Sequence, residues 1–284
     1  MIGFNKLASP GELGNQMFKY AALKGIASNR GLDYCIPPSL NYYIDFFDLT
    51  KFYNFKIIKK FFSNHFLFHC FEMNTLHKKN IKFLKTEDTT YEKSFNFDKS
   101  LFHTCKDNVN INGFFQTEKY FRDIREGLME DFTFKYKYRK KSKDIFNSLN
   151  NPVSIHIRRT DYLTNPNHHA LDLSYYESAI SSFSKDSEFI VFSDDINWVK
   201  SQTLFKNKRF KFAETYTKNI DYLDLSLMSN CEEHIIANSS FSWWGAWLSN
   251  NKKTFAPKNW FKDSKNKELD TKDLVPNEWI LIEN

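Results

Sequence analysis

Two adjacent arginines follow a stretch of alternating side chains near the middle of the chain. Residues 153–157 alternate aliphatic residues with Ser and His, which is the period of a β-strand, and Arg158, Arg159 and Asp161 come soon after it. Ligands of open α/β sheets bind beyond the carboxyl ends of the strands, and a guanidinium group donates to two phosphate oxygens at once. The pair therefore predicts a phosphorylated ligand. A structural ion pair of Arg159 with Asp161, or with a carboxylate elsewhere, explains the dipeptide equally well.

A second polar cluster, Asn-Ser-Ser-Phe-Ser at 238–242, leads into an apolar helix predicted over 241–248 and includes its first two residues. Hydroxyl groups at the start of a helix accept hydrogen bonds from its unpaired amides, and the same amides bind anions with the help of the helix dipole. Capping explains one serine, so Ser239 and Ser240 are predicted to bind phosphate. We assign the tryptophans of this helix to the core rather than to stacking on a sugar.

A glycine-containing turn at 9–16 lies between a predicted first strand and a helix predicted over 17–27. Such turns bring backbone amides close to a ligand. The turn lacks the third glycine of the dinucleotide-binding pattern, which weakens that interpretation. Gly14 and the side-chain amides of Asn15 and Gln16 are instead predicted to face a ligand, although the two amides also suit a role in capping the helix.

Further polar residues stand at the predicted ends of other elements. Gln116 and Glu118 follow a predicted strand and are candidates for a cleft. Asp224 lies on a predicted helix, where a carboxylate can accept both hydrogen-bond donors of a guanine edge, which uracil and cytosine do not offer. A surface aspartate is the simpler interpretation of Asp224, and the pair Asp194 and Asp195 competes for the same role.

The bulk composition is that of a globular protein rather than of a disordered or fibrous one. The chain has 284 residues, 41% of them hydrophobic and 26% charged, which fits one large domain or two ordinary ones. The net charge is +6, but the basic residues are scattered, which argues against a nucleic-acid surface. The basic sections 135–143 and 200–211 allow peripheral association with an acidic membrane, although a solvated face is the favoured interpretation.

The four cysteines show no spacing typical of a zinc site or a redox turn, so we expect them to be reduced and buried. No apolar run approaches the roughly 20 residues of a membrane span, and the start of the chain does not resemble a secretory signal. We therefore expect a cytoplasmic protein.

The second half of the chain is predicted to be an α/β domain with a parallel sheet and helices on both faces. Its predicted strands at 153–157, 188–192 and 234–237 alternate with predicted helices at 174–183, 220–229 and 241–248. In the first half, strands are predicted at 2–8, 32–36 and 109–116, and aromatic-rich residues at 46–62 and 66–71 are interpreted as variable packing. The polar run 135–151 separates the halves and predicts domains at 1–148 and 149–284.

Five longer segments of the chain have a distinctive composition. They are Gly-x-Leu-Gly-Asn-Gln-Met-Phe-x-Tyr-Ala at 11–21, Gly-Phe-Phe-Gln-x-Glu-Lys-Tyr-Phe at 113–121, His-Ile-Arg-Arg-x-Asp-Tyr at 156–162, Asp-Leu-x-Leu-Met-Ser-x-Cys at 224–231 and Ile-Ile-Ala-Asn-Ser-Ser-Phe-Ser-Trp-Trp-Gly-Ala-Trp-Leu at 235–248. In this order, they resemble the motifs of bacterial α-1,2-fucosyltransferases of glycosyltransferase family 11. The resemblance covers nearly the whole chain except about 37–105.

The resemblance implies a GT-B-like α/β fold of two facing Rossmann-like domains with parallel sheets. It implies transfer of L-fucose, with inversion, from GDP-β-L-fucose to the 2-hydroxyl of a galactose-terminated glycan, in surface glycan or O-antigen synthesis. The 1–148 domain would lie on the acceptor side and the 149–284 domain would bind the donor. By analogy, His156 and Asp224 would contact guanosine, Arg158 with Ser239 and Ser240 would bind the pyrophosphate, and Asn15 would approach from the other domain.

The resemblance also sets expectations for the chemistry. Gln116 and Glu118 would contact the acceptor, and Asp161 and His169 are the first candidates for accepting the proton, with His168 and Glu118 in reserve. Asp161 serves equally well to orient Arg159. We expect no cofactor and no metal ion, because there is no Asp-x-Asp pattern and arginine is present instead. The alternatives are a transferase for another nucleotide sugar and a non-catalytic glycan-binding protein.

Overall fold

The chain forms two compact units, each built on a parallel β-sheet. The computed structural model describes residues 1–38, 67–218, 220–249, 251–262 and 268–284. Unit 1 comprises residues 1–135 with 272–274, and unit 2 comprises residues 136–271 with 275–284. Of the aromatic-rich segments singled out in the sequence, 46–62 lies outside the described residues.

Unit 1 contains a four-stranded sheet whose strands are all parallel, in the order β2-β1-β4-β3. Its strands are β1 (Ile2–Gly3), β2 (Tyr34–Cys35), β3 (Thr89–Tyr91) and β4 (Asn110–Asn112). The first strand is shorter than the predicted 2–8 because the chain turns after Phe4. The side chain of Asn5 fixes this turn by donating to the carbonyl of Leu84 and accepting from the amide of Leu84, at 2.9 Å each.

A long helix, α1 (Leu13–Arg30), packs on this sheet and ends at Gly31, whose left-handed φ of 63° suits glycine. The helix is buried around most of its circumference, and Met17, Ala21 and Ile26 are fully buried. Among the described residues, unit 1 also contains the helices α2 (Leu67–Cys70), α3 (Lys99–Thr104) and α4 (Arg125–Asp131). Between β4 and α4 the chain forms two short 3₁₀ turns, Glu118–Tyr120 and Arg122–Ile124.

Unit 2 contains a six-stranded sheet, again entirely parallel, in the order β10-β9-β8-β5-β6-β7. Its strands are β5 (Val153–Ile157), β6 (Phe189–Ser193), β7 (Phe210–Phe212), β8 (Glu233–Ile235), β9 (Lys253–Pro257) and β10 (Ile280–Ile282). All five residues of β5 are buried, because this strand lies inside the sheet and is covered on both faces.

Helices cover both faces of the second sheet, as the alternation of elements predicts. They are α5 (Tyr136–Asn147), α6 (Leu173–Ser181), α7 (Ile196–Ser201), α8 (Glu214–Thr217), α9 (Asp221–Met228) and α10 (Ser240–Trp247). On one face, Ile155 lies in a core that includes Tyr176 of α6 and Val199 of α7. On the other face, Phe192 packs with Met228 of α9.

The polar run 135–151 is not a linker but contains helix α5, and the boundary between the compact units falls at 135 and 136 rather than at 148 and 149. Tyr138 and Ser142 are its buried residues. The Ser142 hydroxyl lies 2.7 Å from that of Ser226, and the ring of Tyr138 lies 4.3 Å from that of Tyr222. These contacts dock α5 on α9, so α5 belongs to unit 2.

All four cysteines lie within the described residues, where they are buried and form no disulfide, as expected. No helix in the described ranges has the length and apolar character needed to cross a membrane.

Candidate functional site

The carboxyl ends of β5 and β6 bring the two arginines together with three carboxylates. Arg158 Nε lies 2.9 Å from Asp161 Oδ1 and 3.4 Å from Asp194 Oδ2, and Arg159 Nε lies 3.2 Å from Asp195 Oδ2. The structural ion pair foreseen for Arg159 therefore exists, but its partner is Asp195, whereas Asp161 pairs with Arg158.

The two guanidinium groups have different environments. Arg159 stacks on the ring of Trp198 at 4.0 Å as well as pairing with Asp195. Arg158 keeps 34% of its side chain exposed. Asp194 also accepts from the backbone amides of Arg159 and Thr160, at 2.9 and 3.1 Å, so the turn after β5 is rigidly held. Arg158 is thus a partly exposed, oriented donor suited to an anionic ligand.

His156 is held neutral on the opposite side of β5 from the aliphatic residues. Its side chain is 6% exposed, and its Nδ1 lies 2.9 Å from the hydroxyl of Ser242. Burial, and secondarily the charge of Arg158, lowers the pKa of His156 to about 3. A neutral imidazole has one donor and one acceptor nitrogen, so it can recognise a ligand by hydrogen bonding without adding charge.

The start of α10 lies beside this group of residues. Ser239 stands at the N-cap position, yet its side chain makes no capping hydrogen bond among the residues that the structure describes. The hydroxyl of Tyr162 donates to the carbonyl of Asn238 at 2.9 Å, and the ring of Tyr162 lies 5.7 Å from the guanidinium carbon of Arg158. Tyr162 therefore links the Arg158 turn to the start of α10, where helix amides are suited to an anion.

Asp224 lies on α9, in the same unit. Within the described part of the chain, its buried Oδ1 has no hydrogen-bond partner. Burial raises the pKa of Asp224 to about 7, and the charge of Asp221 adds to the effect, whereas a hydrogen bond from Thr217 opposes it. A carboxylate in this state is not the solvated surface aspartate that the sequence alone favoured, and it is suited to a ligand that brings its own donors.

His168 and His169 lie in the loop that precedes α6. The ring of His168 stacks on Tyr162 at 4.7 Å. His169 Nε2 lies 3.1 Å from the side-chain amide of Asn284. A cavity of about 480 Å³ is lined by His169 together with Arg159, Tyr162, Asp172, Trp198 and Lys262.

In unit 1, the structure joins two of the predicted residues directly. Gln116 Nε2 donates to Asn15 Oδ1 at 2.6 Å, and Gln116 is 7% exposed. The sequence predicted Gly14, Asn15 and Gln16 in a loop before the helix. In the structure they lie in the first turn of α1. Glu118 is buried at the start of the following 3₁₀ turn. The Asn15–Gln116 pair lies at the carboxyl edge of the unit 1 sheet, where ligands of α/β sheets bind.

Sequence reasoning missed two polar residues near these groups. Ser242 was one of several serines, and only the structure shows it bonded to His156. Glu92 directly follows β3 and accepts hydrogen bonds from the amides of Phe114 and Phe115. The signal for Glu92 was a carboxylate immediately after two β-branched residues and one aromatic residue, Thr89–Tyr91, which favour a strand.

Comparisons with known proteins agree with this architecture. The model of glycosyl transferase family 11 matches residues 1–283. An α-1,2-colitosyltransferase of Escherichia coli is 35% identical, over 96% of this chain and 97% of its own. The O-antigen biosynthesis glycosyltransferase WbnK of Escherichia coli is 38% identical over 42% of each chain. A galactoside 2-alpha-L-fucosyltransferase, SEC1, of Bos taurus is 21% identical over 87% of this chain and 65% of its own.

The structural comparison concerns the fold alone. The fucosyltransferase NodZ from Bradyrhizobium is 10% identical, and its crystal structure matches with a TM-score of 0.50 over 87% of this chain and 93% of its own. Two α/β units with parallel sheets and this likeness define a GT-B-like fold. With the family match over 1–283, the chain belongs to glycosyl transferase family 11.

Proposed function

We propose that this protein is an inverting α-1,2-glycosyltransferase that transfers L-fucose from GDP-β-L-fucose to the 2-hydroxyl of a galactoside during surface glycan or O-antigen synthesis. Family membership, with relatives named α-1,2-colitosyltransferase, O-antigen glycosyltransferase and galactoside fucosyltransferase, supports it. The observation in the structure that carries most weight is the position of the partly exposed Arg158 near the start of α10, where the Ser239 side chain makes no capping hydrogen bond to any described residue.

In this proposal, unit 2 binds the donor. Asp224 Oδ1 accepts from the guanine edge, and neutral His156 contacts the nucleoside. Arg158 and the amides and hydroxyls at Ser239 and Ser240 bind the diphosphate, because a guanidinium group and a helix start both donate to phosphate oxygens. We also propose Gly14, Asn15 and Gln16, which lie in unit 1, as donor-binding residues.

The proposed reaction breaks the bond between the sugar C1 and the β-phosphate oxygen. The acceptor 2-hydroxyl oxygen forms the new bond to C1 from the opposite face, and the bonding electron pair leaves with GDP. Negative charge grows on the departing phosphate in the transition state, where Arg158 and the α10 amides stabilise it. In this scheme no metal ion is needed to neutralise the diphosphate.

A basic group must accept the proton that the galactoside 2-hydroxyl releases. Asp161 is bonded to Arg158 Nε at 2.9 Å, so we assign it to orienting Arg158. His169 lies on the wall of the 480 Å³ cavity and is the proposed proton acceptor. On the acceptor side, Gln116 and Glu118 of unit 1 are proposed to contact the galactoside.

A second donor is a specific alternative. The colitosyltransferase relative covers nearly the full length of both chains at 35% identity. Colitose is L-fucose without its 3-hydroxyl, so the same nucleotide site would serve both GDP-sugars, and contacts to one hydroxyl would separate them.

The test is release of GDP from GDP-L-fucose and GDP-colitose with a panel of galactosides, with and without EDTA, followed by linkage analysis of the product. We expect turnover of one of these donors, an α-1,2 product and no effect of EDTA. Turnover only with a UDP-sugar, or glycan binding without GDP release, would refute the proposed donor or the enzymatic role. Loss of activity in EDTA, restored by a divalent ion, would refute the metal-independent scheme.

The proposal places the reaction in the cytoplasm, at the inner face of the membrane. Association with the membrane is supported by the exposed basic residues of α5, namely Lys137, Arg139, Lys140, Lys141 and Lys143.

A further inference from the structure

We propose that Glu92 is a positioning residue that shapes the turn after β4 (residues 113–116), and through it the Asn15–Gln116 pair, for binding a sugar hydroxyl. The hydroxyl-binding role rests on the proposed function, whereas the effect of Glu92 on the turn does not. The function proposed above gives Glu92 no role.

The side chain of Glu92 connects the ends of two neighbouring strands. Its backbone amide donates to the carbonyl of Asn112, the last residue of β4, at 2.9 Å. Its carboxylate then accepts from the amide of Phe114 at 2.7 Å and from the amide of Phe115 at 3.0 Å. Two successive amides on one carboxylate form an anion-binding nest, here filled by a side chain of the protein itself.

The turn that Glu92 holds has an unusual backbone. Phe115 has a φ of 53°, in the left-handed region that a bulky residue rarely adopts. Its ring is fully buried and packs against Phe4 and Tyr120, at 5.8 and 5.3 Å between ring centroids. Such a conformation persists only where surrounding contacts enforce it, and the Glu92 carboxylate supplies two of them.

Gly113 makes this approach possible. A Cβ atom at position 113 would lie 2.4 Å from Glu92 Cβ and 2.6 Å from Glu92 Oε2. Any side chain at position 113 therefore displaces the Glu92 carboxylate. A substitution of Gly113 thus tests the role of this carboxylate while Glu92 is retained.

The next residue in the turn is Gln116, which donates to Asn15 at 2.6 Å. Its Oε1 atom is buried and has no hydrogen-bond partner among the described residues. An unpaired buried oxygen needs a donor, and a sugar hydroxyl is such a donor. The turn therefore presents one unfilled acceptor at the carboxyl edge of the unit 1 sheet.

Burial raises the pKa of Glu92 to about 7, against the lowering effect of the two amides, which is consistent with a poorly solvated carboxylate.

The first experiment measures hydrogen–deuterium exchange of peptides covering 113–117 in the full chain. We expect Glu92→Ala and Gly113→Ala to speed exchange of the Phe114 and Phe115 amides on the order of 10- to 100-fold, because each loses a charge-assisted hydrogen bond. The control is Glu87→Gln, which changes an exposed glutamate just before β3 and should leave this exchange unchanged. Unchanged exchange in Glu92→Ala, with the thermal melting point retained, would overturn the proposal whether or not the chain is a transferase.

The second experiment is a double-mutant cycle with Gln116→Ala, read as kcat/KM for the galactoside. If Glu92 acts through Gln116, we expect Glu92→Ala to lower kcat/KM on the order of tenfold, and the double variant to lose little more than the larger single loss. Glu92→Gln, which keeps one acceptor oxygen, should recover part of the activity. Losses that multiply in the double variant would show that Glu92 is only structural. A wild-type chain without transferase activity would refute the function proposed above, while the exchange experiment would still decide the effect on the turn.

Discussion

For single residues, the two arginines differ in their contacts more than in their exposure, since 24% of the Arg159 side chain and 34% of the Arg158 side chain are exposed. Arg159 pairs with Asp195 and stacks on Trp198, which are contacts of a structural residue. Arg158 contacts Asp161 and Asp194 through Nε while part of its side chain stays exposed. The two carboxylates orient Arg158 before any ligand binds. The side chain therefore loses less conformational entropy on binding, which favours affinity.

Arg158→Ala should lower kcat on the order of 10² to 10³-fold, because it removes a preorganised donor to the leaving phosphate. Arg139→Ala is the matched control, since Arg139 is an exposed arginine on α5 of the same unit. The measurement is steady-state GDP release with both substrates saturating. Near-native turnover of Arg158→Ala would contradict the proposed role.

Asp224 gives a prediction about pH. Its pKa is raised from 3.8 to about 7 in the folded protein, so its protonated form stabilises the fold at low pH, and this contribution is lost as the pH rises through 7. The guanine edge requires the carboxylate, so GDP affinity should rise about tenfold between pH 6 and pH 8. Calorimetric titration with GDP at several pH values measures this.

Asp224→Asn is the control for that titration. The variant should bind GDP more weakly at pH 8, and any pH dependence that it retains belongs to the phosphates of GDP rather than to the protein. Equal pH dependence in the wild type and in Asp224→Asn would show that this carboxylate does not contact the nucleotide.

At the scale of elements, the contact between α9 and α10 brings the nucleoside and phosphate candidates together. Asp224 lies on α9, and Ser239 and Ser240 lie at the start of α10. Gly245 allows the close approach, because a Cβ atom there would lie 2.2 Å from the sulfur of buried Met228. The spacing of the two helices therefore depends on a position that contacts no proposed ligand.

Gly245→Ala should destabilise the protein by about 1–3 kcal/mol through overpacking, and it should weaken GDP binding because the first turn of α10 moves. Gly127→Ala is the matched control: within the part of the chain that the structure describes, its new Cβ would meet only Lys24 Nζ, at 3.5 Å, so we expect a neutral effect or a gain of up to about 1 kcal/mol. Denaturant unfolding with and without GDP measures both effects. Equal stabilities of the two variants would contradict the packing argument.

At the scale of the whole molecule, the net charge of +6 includes an exposed basic face on α5. Tyr138 and Ser142 dock this helix on unit 2, which directs its lysines to solvent. We expect the protein to cosediment with vesicles containing anionic lipid but not with neutral vesicles, and to be released by salt.

Replacing Lys137, Lys140 and Lys141 by glutamate should abolish this binding while leaving GDP release unchanged. The matched control is replacement of three exposed lysines outside α5, Lys85, Lys93 and Lys106. Equal loss of binding in both triple variants would assign the effect to net charge rather than to α5, and no binding by the wild type would remove membrane association from the proposal.

The local chemistry and the class of fold follow from patterns along the chain. The alternation at 153–157 predicted a buried strand ending in charge, and the structure confirms β5 with Arg158 beyond its end. The order of strands and helices predicted a parallel sheet covered on both faces, because a parallel sheet needs crossover helices. Helix α5 could also have been predicted, because Tyr138, Ser142 and Ile145 recur at helical spacing. Its mostly polar composition made this pattern weak.

Contacts between side chains distant in sequence depend on long-range packing. Gln116 and Asn15 are 101 positions apart, and His156 and Ser242 are 86 apart, so no local pattern could pair them. The same holds for the choice of Asp195, rather than Asp161, as the partner of Arg159. Backbone periodicity specifies which face a residue occupies, whereas the partner on that face depends on the order in which strands assemble into the sheet, and that order follows from packing of the entire chain.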